Sequence, residues 1–249
     1  KTAHDLNADA LVTGHYVRRI DGRFGPELHC GVDPIKDQSY FLFATTKPQL
    51  SFLRFPLGGM EKEETRSHAE RFGLTIANKE ESQDICFVPT GSYAELVSRL
   101  RPDSNLPGSI VDLKGRVLGE HNGISRFTIG QRRGLNIALG EAQYVVRIDP
   151  RSRQVVIGGK NDLLKNRFHV HKINWLGNDK QPKNNFMANV KIRSSSMPFK
   201  AQIIVKKNGI LEVFPDVPIS SVAPGQASVF YDGHRVLGGG WIMREETAE

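Results

Sequence analysis

At 249 residues, with a net charge of +7, 39% apolar and 24% charged residues, the chain is long enough for roughly one to three domains and a real buried core. Two cysteines exclude a disulfide framework and point to a reducing, cytoplasmic compartment, and eight histidines with no HExxH or paired spacing argue against a structural metal. No apolar run approaches the roughly 20 residues of a membrane span, Lys1-Thr2-Ala3-His4-Asp5 is no signal-peptide core, and the absence of an initial Met marks the chain as an expected piece of something longer.

In chain order, the pattern predicts a helix over Ala3 to Asp9 and a short apolar strand, Ala10 to Thr13, ending at Gly14-His15. Such a strand-to-loop junction carries ligand contacts in α/β sheets. A Gly-rich hairpin tip follows at Asp21 to Gly25, then a strand toward Cys30. Asp37 is the expected N-cap of a helix through Tyr40, Phe41, Leu42 and Ala44. Phe55 to Gly59 reads as a turn. Glu61 to Phe72 reads as an amphipathic helix with acidic residues in its first turn, where the helix dipole favours them. A further short helix is expected over Ser92 to Leu100.

Past Arg101-Pro102 the period shortens. Alternating runs at Ser109 to Asp112, Lys114 to Gly119, Gln143 to Ile148 and Gln154 to Ile157 read as a small all-β unit. After a linker near 161–167, runs at Phe186 to Ile192, Phe199 to Val205, Ile210 to Phe214, Ala227 to Tyr231 and Val236 to Ile242 suggest a compact barrel of five or six strands. Asp232-Gly233 marks the hairpin between the last two. Charge divides along the same lines. Residues 1–100 carry 12 Lys/Arg against 14 Asp/Glu, 101–165 carry 11 against 6, and 166–249 carry 11 against 7. Basicity confined to the later segments fits a polyanion partner docked there, or ordinary solubility charge.

Four short segments stand out. Lys36-Asp37-Gln38 sits at a helix start beside an aromatic pair; it reads as a capping sequence, or as a phosphate contact by Lys36 and a base-edge or backbone contact by Gln38. Thr128-Ile129-Gly130-Gln131-Arg132-Arg133-Gly134 is the densest basic motif. Its glycines allow close backbone approach, Arg132 and Arg133 supply bidentate phosphate contacts, and Phe127 offers a stacking surface. Gly225-Gln226 is a turn entering a strand. Cys86, in Ser82-Gln83-Asp84-Ile85-Cys86-Phe87, is either a small buried hydrophobe or a redox-capable thiol placed between two turns.

Thr13-Gly14-His15-Tyr16, Asp33 through Leu42, Ser82 through Phe87, Phe127 through Gly134, Pro224-Gly225-Gln226 and Leu237-Gly238-Gly239-Gly240 occur in this order, and together they resemble the tRNA-specific 2-thiouridylase family across essentially the whole chain. The resemblance implies an α/β remnant of an adenine-nucleotide α-hydrolase-like (ATP-pyrophosphatase) domain at 1–100, a small mainly-β tRNA-binding domain at 101–163 and a C-terminal β-barrel at 164–249. It implies a tRNA-uridine 2-sulfurtransferase that uses ATP with Mg to adenylate the wobble uridine, and a persulfide delivered by a sulfur-relay protein to Cys86, one half of a catalytic, disulfide-forming cysteine pair. Gly14 matches a nucleotide contact. His15, the Lys36, Asp37 and Gln38 triplet, Arg193, Ser194 and Gln226 match tRNA contacts, although the second position of the Arg193–Ser194 pair is often aromatic in relatives. Cys30 matches no catalytic position. Nothing here matches the family's Ser-Gly-Gly-x-Asp-Ser phosphate loop or its first catalytic cysteine, so the chain corresponds to the C-terminal two-thirds of such an enzyme and is expected to be inactive by itself. The alternative is a non-catalytic tRNA-binding module.

Overall fold

The computed structural model describes residues 2–75, 105–137, 140–178, 182 and 184–244, which fall into two compact units. One unit draws on Lys1–Lys79, Asn166–Val217 and Ala223–Glu249; the other on Glu80–Lys165 and Pro218–Val222.

The first unit opens with helix α1 (Thr2–Asp5) and strand β1 (Leu11–Val12). The expected helix to Asp9 stops early because Asn7 turns left-handed at φ 53, a conformation Asn tolerates better than most residues. The hairpin β2 (Val17–Gly22) and β3 (Gly25–Cys30) pairs in full register from Val17↔Cys30 to Gly22↔Gly25, and Gly25 at φ 112 makes its turn. Helix α2 (Ser39–Leu42) follows, then α3 (Lys47–Phe52), which runs into β4 (Leu53–Arg54) parallel to β1. A 3₁₀ turn, Pro56–Gly59, leads to helix α4 (Lys62–Arg71), with Glu63 and Glu64 in its first turn. None of its described side chains is fully buried, and its half-buried residues, Lys62, Thr65, His68 and Ala69, lie along one face.

The same unit contains the expected barrel. Strands β9 (Phe168–Trp175), β10 (Phe186–Lys191), β11 (Phe199–Val205), β12 (Leu211–Pro215), β13 (Ala227–Asp232) and β14 (Arg235–Ile242) close in the order β13-β10-β11-β12-β9-β14, with β14 returning to β13. Closure leaves no free edge among those six strands. Inward residues alternate with outward ones on β11, at Ala201 and Ile203, and on β12, at Leu211 and Val213, all fully or almost fully buried. Each such Leu, Ile or Val contributes about 1.5–3 kcal/mol by leaving water. On the outer face, the Glu212 carboxylate is buried against Lys206, with His169 at 3.4 Å and Arg167 at 3.7 Å; the Lys206 hydrogen bond holds it below the usual carboxylate range.

The β2–β3 hairpin extends the barrel wall. Arg235 on β14 pairs with His29, and Glu27 receives both Arg235 at 3.1 Å and His29 at 3.0 Å. One hydrophobic cluster then joins Val17, Leu28, Tyr40, Phe43 and Leu50 to Leu176, Ala227, Val229, Tyr231 and Val236. The described part of the first segment therefore shares its core with the barrel.

The second unit is the expected small β structure: β5 (Gly108–Val111), β6 (Val117–His121), β7 (Tyr144–Asp149) and β8 (Gln154–Gly158) in the order β6-β5-β8-β7. Its core is Ile110, Leu135, Val145, Val155 and Ile157. No helix of the described residues is long and apolar enough to cross a membrane.

Candidate nucleic-acid interface

Residues 31–38 form a loop stiffened by two aspartates. Asp33 accepts the backbone N–H groups of Ile35 (2.9 Å), Lys36 (3.2 Å) and, at the start of α4, Lys62 (3.1 Å). Desolvation pushes its carboxyl up, but those N–H bonds and the nearby Lys36 charge outweigh it and hold the group below its ordinary value. Asp37 is not the N-cap; that position is Gln38, which makes no side-chain cap bond. Asp37 instead spans the loop: Oδ1 accepts Gly31 N–H (3.0 Å) and Ser39 N–H (3.1 Å), and Oδ2 accepts the Ser39 hydroxyl (2.7 Å). Gln38 bonds Tyr16 twice, donating its N–H to the Tyr16 carbonyl (3.1 Å) and accepting Tyr16 N–H on Oε1 (2.9 Å). The triplet is thus presented on a braced loop, with Ile35 beside it exposed. Tyr16 also ties this loop to Gly14 and His15, which lie exposed at the end of the parallel β1–β4 pair, the Thr13 hydroxyl bonding His15 Nδ1.

From this loop α2 runs onto the barrel. The Tyr40 hydroxyl lies 3.0 Å from two carbonyls, Ile192 and Ala227, which are 152 and 187 residues away in sequence. Burial pushes the Tyr40 hydroxyl up to about 12 despite the opposing Arg193 charge, so it stays a donor. Arg193 and Ser194 directly follow Ile192, Arg193 half-buried and Ser194 exposed in a turn closed by Ser196 on the Arg193 carbonyl (2.9 Å). Gln226 directly precedes Ala227. Gly225, left-handed at φ 83, and Gln226 bond Ile242 through their backbones, and the buried Gln226 Oε1 has no hydrogen-bond partner among the described residues. Through Tyr40 the Lys36–Gln38 loop is thus joined to the two barrel segments that carry Arg193–Ser194 and Gln226, and this junction is called the seam below.

Cys30 lies inside that seam. Its sulfur is 3.5 Å from the Ser39 hydroxyl, which also meets Tyr231 at 3.3 Å. Burial raises the Cys30 thiol above its usual range; burial likewise raises Tyr231. A half-buried thiol held protonated and packed against the core serves as a packing group. Cys86 lies outside the described residues, as does the helix expected at Ser92 to Leu100.

In the second unit, Gln131 organises the basic motif. Its Oε1 accepts Thr128 N–H (2.9 Å), its Nε2 donates to the Arg133 carbonyl (2.9 Å), and the backbones of Gly130 and Gln131 pair with Val145. Gly130 (φ 88) and Gly134 (φ 76) supply left-handed turns that leave Arg132 and Arg133 exposed between them. Phe127 is half-buried. Its ring packs against the unit's core and meets His121 edge-on at 5.2 Å. His121 accepts Gly123 N–H on Nδ1 and so donates from Nε2 to the Arg153 carbonyl (3.1 Å); burial pushes its pKa down and keeps it neutral.

Gly14 is a single backbone position at a strand end, not a triphosphate cradle, and the described residues contain no group of three or more His, Cys, Asp or Glu side chains placed to hold a metal ion. No chemical step follows from them for ATP or Mg. Local pattern singled out Lys36 and the two arginines but missed Asp33 and Tyr40. Asp33 carried a visible signal, an Asx turn before Ile35-Lys36. Tyr40 carried none, because its partners lie in the distant barrel.

Residues 1–90 match the family described as the tRNA methyl transferase HUP domain, residues 95–159 the tRNA methyl transferase PRC-barrel domain and residues 165–242 the aminomethyltransferase β-barrel domain. Among curated proteins, the tRNA-specific 2-thiouridylase MnmA of Orientia tsutsugamushi (strain Boryong) is 51% identical over 245 residues, covering 98% of this chain and 66% of that protein. The protein of the same name from Rhodospirillum centenum is 51% identical over 254 residues (99% and 64%), and that of Rickettsia africae over 245 (98% and 67%). The chain spans about two thirds of the length of these relatives.

Proposed function

The chain belongs to the tRNA-specific 2-thiouridylase family, and from that membership we propose that it supplies the tRNA-docking surfaces and the sulfur-carrying cysteine of an ATP-dependent 2-thiolation of the wobble uridine. The observation that supports this reading is the Tyr40 hydroxyl, which ties the segment following Lys36–Gln38 to the carbonyls next to Arg193 and Gln226. Positioning contacts to phosphate and sugar are what extrusion of an anticodon base requires, since unstacking it costs on the order of a few kcal/mol. Lys36 and Arg193 supply charge there. Asp37 spends both carboxylate oxygens on the loop and therefore contributes by bracing Lys36. Gln38, with Oε1 given to Tyr16, approaches RNA as a donor. Arg132 and Arg133 present a second basic surface, and Ser194 and Gln226 add polar contacts. His15 contacts tRNA and Gly14 the nucleotide, with segments 1–100, 101–163 and 164–249 acting as the catalytic, central and barrel parts.

ATP, with Mg, would adenylate the uridine 2-oxygen with release of pyrophosphate, so that the oxygen could leave as part of AMP. Cys86 carries sulfur as a persulfide received from a relay protein, and a second cysteine thiol takes up the Cys86 sulfur as a disulfide when the terminal sulfur leaves for the uridine. With no match to the phosphate loop, the isolated chain binds tRNA without completing the reaction. Nucleoside analysis of tRNA incubated with the chain, ATP and a sulfide donor is expected to show no 2-thiouridine, and its formation would contradict this division of labour. The docking half is tested by tRNA binding: the Lys36→Ala/Arg193→Ala double variant is expected to bind about tenfold or more weakly than the parent, and equal affinity would remove the seam from the interface.

A further inference from the structure

Strands β10 and β13 stay in register through Asn189↔Tyr231, Val190↔Phe230 and Lys191↔Val229, and pairing ends there. Just past that last pair the Tyr40 hydroxyl stands 3.0 Å from the Ile192 carbonyl of one strand and 3.0 Å from the Ala227 carbonyl of the other. One hydroxyl proton serves both acceptors. The ring below it is buried in the shared core, so Tyr40 cannot reach RNA. Each carbonyl belongs to the neighbour of a proposed contact: Ile192 precedes Arg193, and Ala227 follows Gln226. On its other side Tyr40 is one residue from Ser39, whose N–H and hydroxyl are held by Asp37, and two from Gln38, which is fixed to Tyr16.

The geometry points to Tyr40 as the positioning residue of the interface, the group whose hydroxyl sets Arg193 and Gln226 at a fixed spacing from the Lys36–Gln38 loop so that all three engage one tRNA together. This rests on the tRNA-binding reading above and adds a residue to it. A preorganised set of contacts binds more tightly than the same contacts on independently moving segments, because the ordering cost is met during folding. Loss of the hydroxyl leaves every contacting side chain in place and removes only their common reference.

The test is a double-mutant cycle read by binding of an in vitro transcribed tRNA carrying the wobble uridine, with melting temperature followed alongside. Tyr40→Phe and Arg193→Ala are each expected to weaken binding about fivefold, and the double variant only about five- to tenfold instead of the product of about 25-fold. A merely structural Tyr40 would lower the melting temperature and leave the cycle additive. Should Tyr40→Phe fail to fold, a second cycle with Lys36→Ala and Arg193→Ala in the Tyr40 protein reads, without touching the core, the coupling between loop and barrel contacts that the assignment requires. Unchanged affinity in Tyr40→Phe, or additivity in the cycle that can be read, overturns the assignment. Failure of the parent chain to bind tRNA overturns instead the reading on which it rests.

Discussion

Treated with a sulfane-sulfur donor, the chain is expected to gain one sulfur atom at Cys86, the Cys30→Ser variant to gain it equally, and the Cys86→Ser variant almost none. Sulfur transfer requires a thiolate, and each unit by which a thiol is raised cuts its thiolate fraction about tenfold. Cys30 is raised chiefly by burial; the Ser39 hydroxyl bond works the other way and does not overcome it. Its sulfur faces Ser39 in the seam, with Tyr231 behind. Cys30 should therefore react more slowly than an unperturbed thiol. Mass spectrometry of the intact variants reads the outcome directly. Persulfide on Cys30 in the Cys86→Ser protein at the parent rate would show that exposure and thiolate character do not decide between the two.

The second large effect is expected at the glycine run of β14. A Cβ on Gly239 would stand 2.6 Å from the Phe43 ring and 2.7 Å from the Ser228 carbonyl, and one on Gly240 would stand 2.5 Å from the His171 carbonyl. Backbone crowds this strand on both sides, while Phe43, itself buried and edge-on to Trp241 at 5.7 Å, lies across it. The Phe43 and Thr45 carbonyls are held there by Asn174 at 2.6 and 2.9 Å. Gly239→Ala and Gly240→Ala each force a carbonyl or the Phe43 ring away from the barrel, at a cost of about 3 kcal/mol and a melting temperature lower by about 6–12 °C. A Cβ on Gly59 would meet no described atom within 4 Å, so Gly59→Ala serves as the control and is expected within about 0.5 kcal/mol of the parent. Equal melting temperatures for Gly239→Ala and Gly59→Ala would show that the α2 segment does not seat on β14 as described.

Most of the barrel was legible because its strands alternate cleanly, and the runs expected from Phe186 to Ile242 match β10 to β14 within a residue or so. Strand β9 was not. Phe168 and Val170 begin an alternation that Lys172, left-handed at φ 50, throws out of phase, opposite an irregularity between Gly239 and Trp241. A phase slip of that kind hides a strand from a period-two reading. Helix α3 was missed although its signal was present: Thr46 and Gln49 form a capping box with Pro48 in the first turn. At the interface, local chemistry found Lys36, Arg132 and Arg133, and family resemblance added Arg193 and Gln226. What neither supplied was the division of labour inside the triplet. Asp37 and Gln38 look like contacts in the sequence; in the fold their side chains are largely engaged with Gly31, Ser39 and Tyr16.

Docking of tRNA by this chain is proposed to use the Tyr40 seam and the Arg132–Arg133 loop. A tRNA titration of the 249-residue chain across a salt series tests it most directly. The expected result is binding whose logarithm falls linearly with log salt, by about 0.9 per phosphate contact on duplex regions, with a shallower slope in both Lys36→Ala/Arg193→Ala and Arg132→Gln/Arg133→Gln. Binding with no salt dependence, or the same slope in the parent and both double variants, would contradict it.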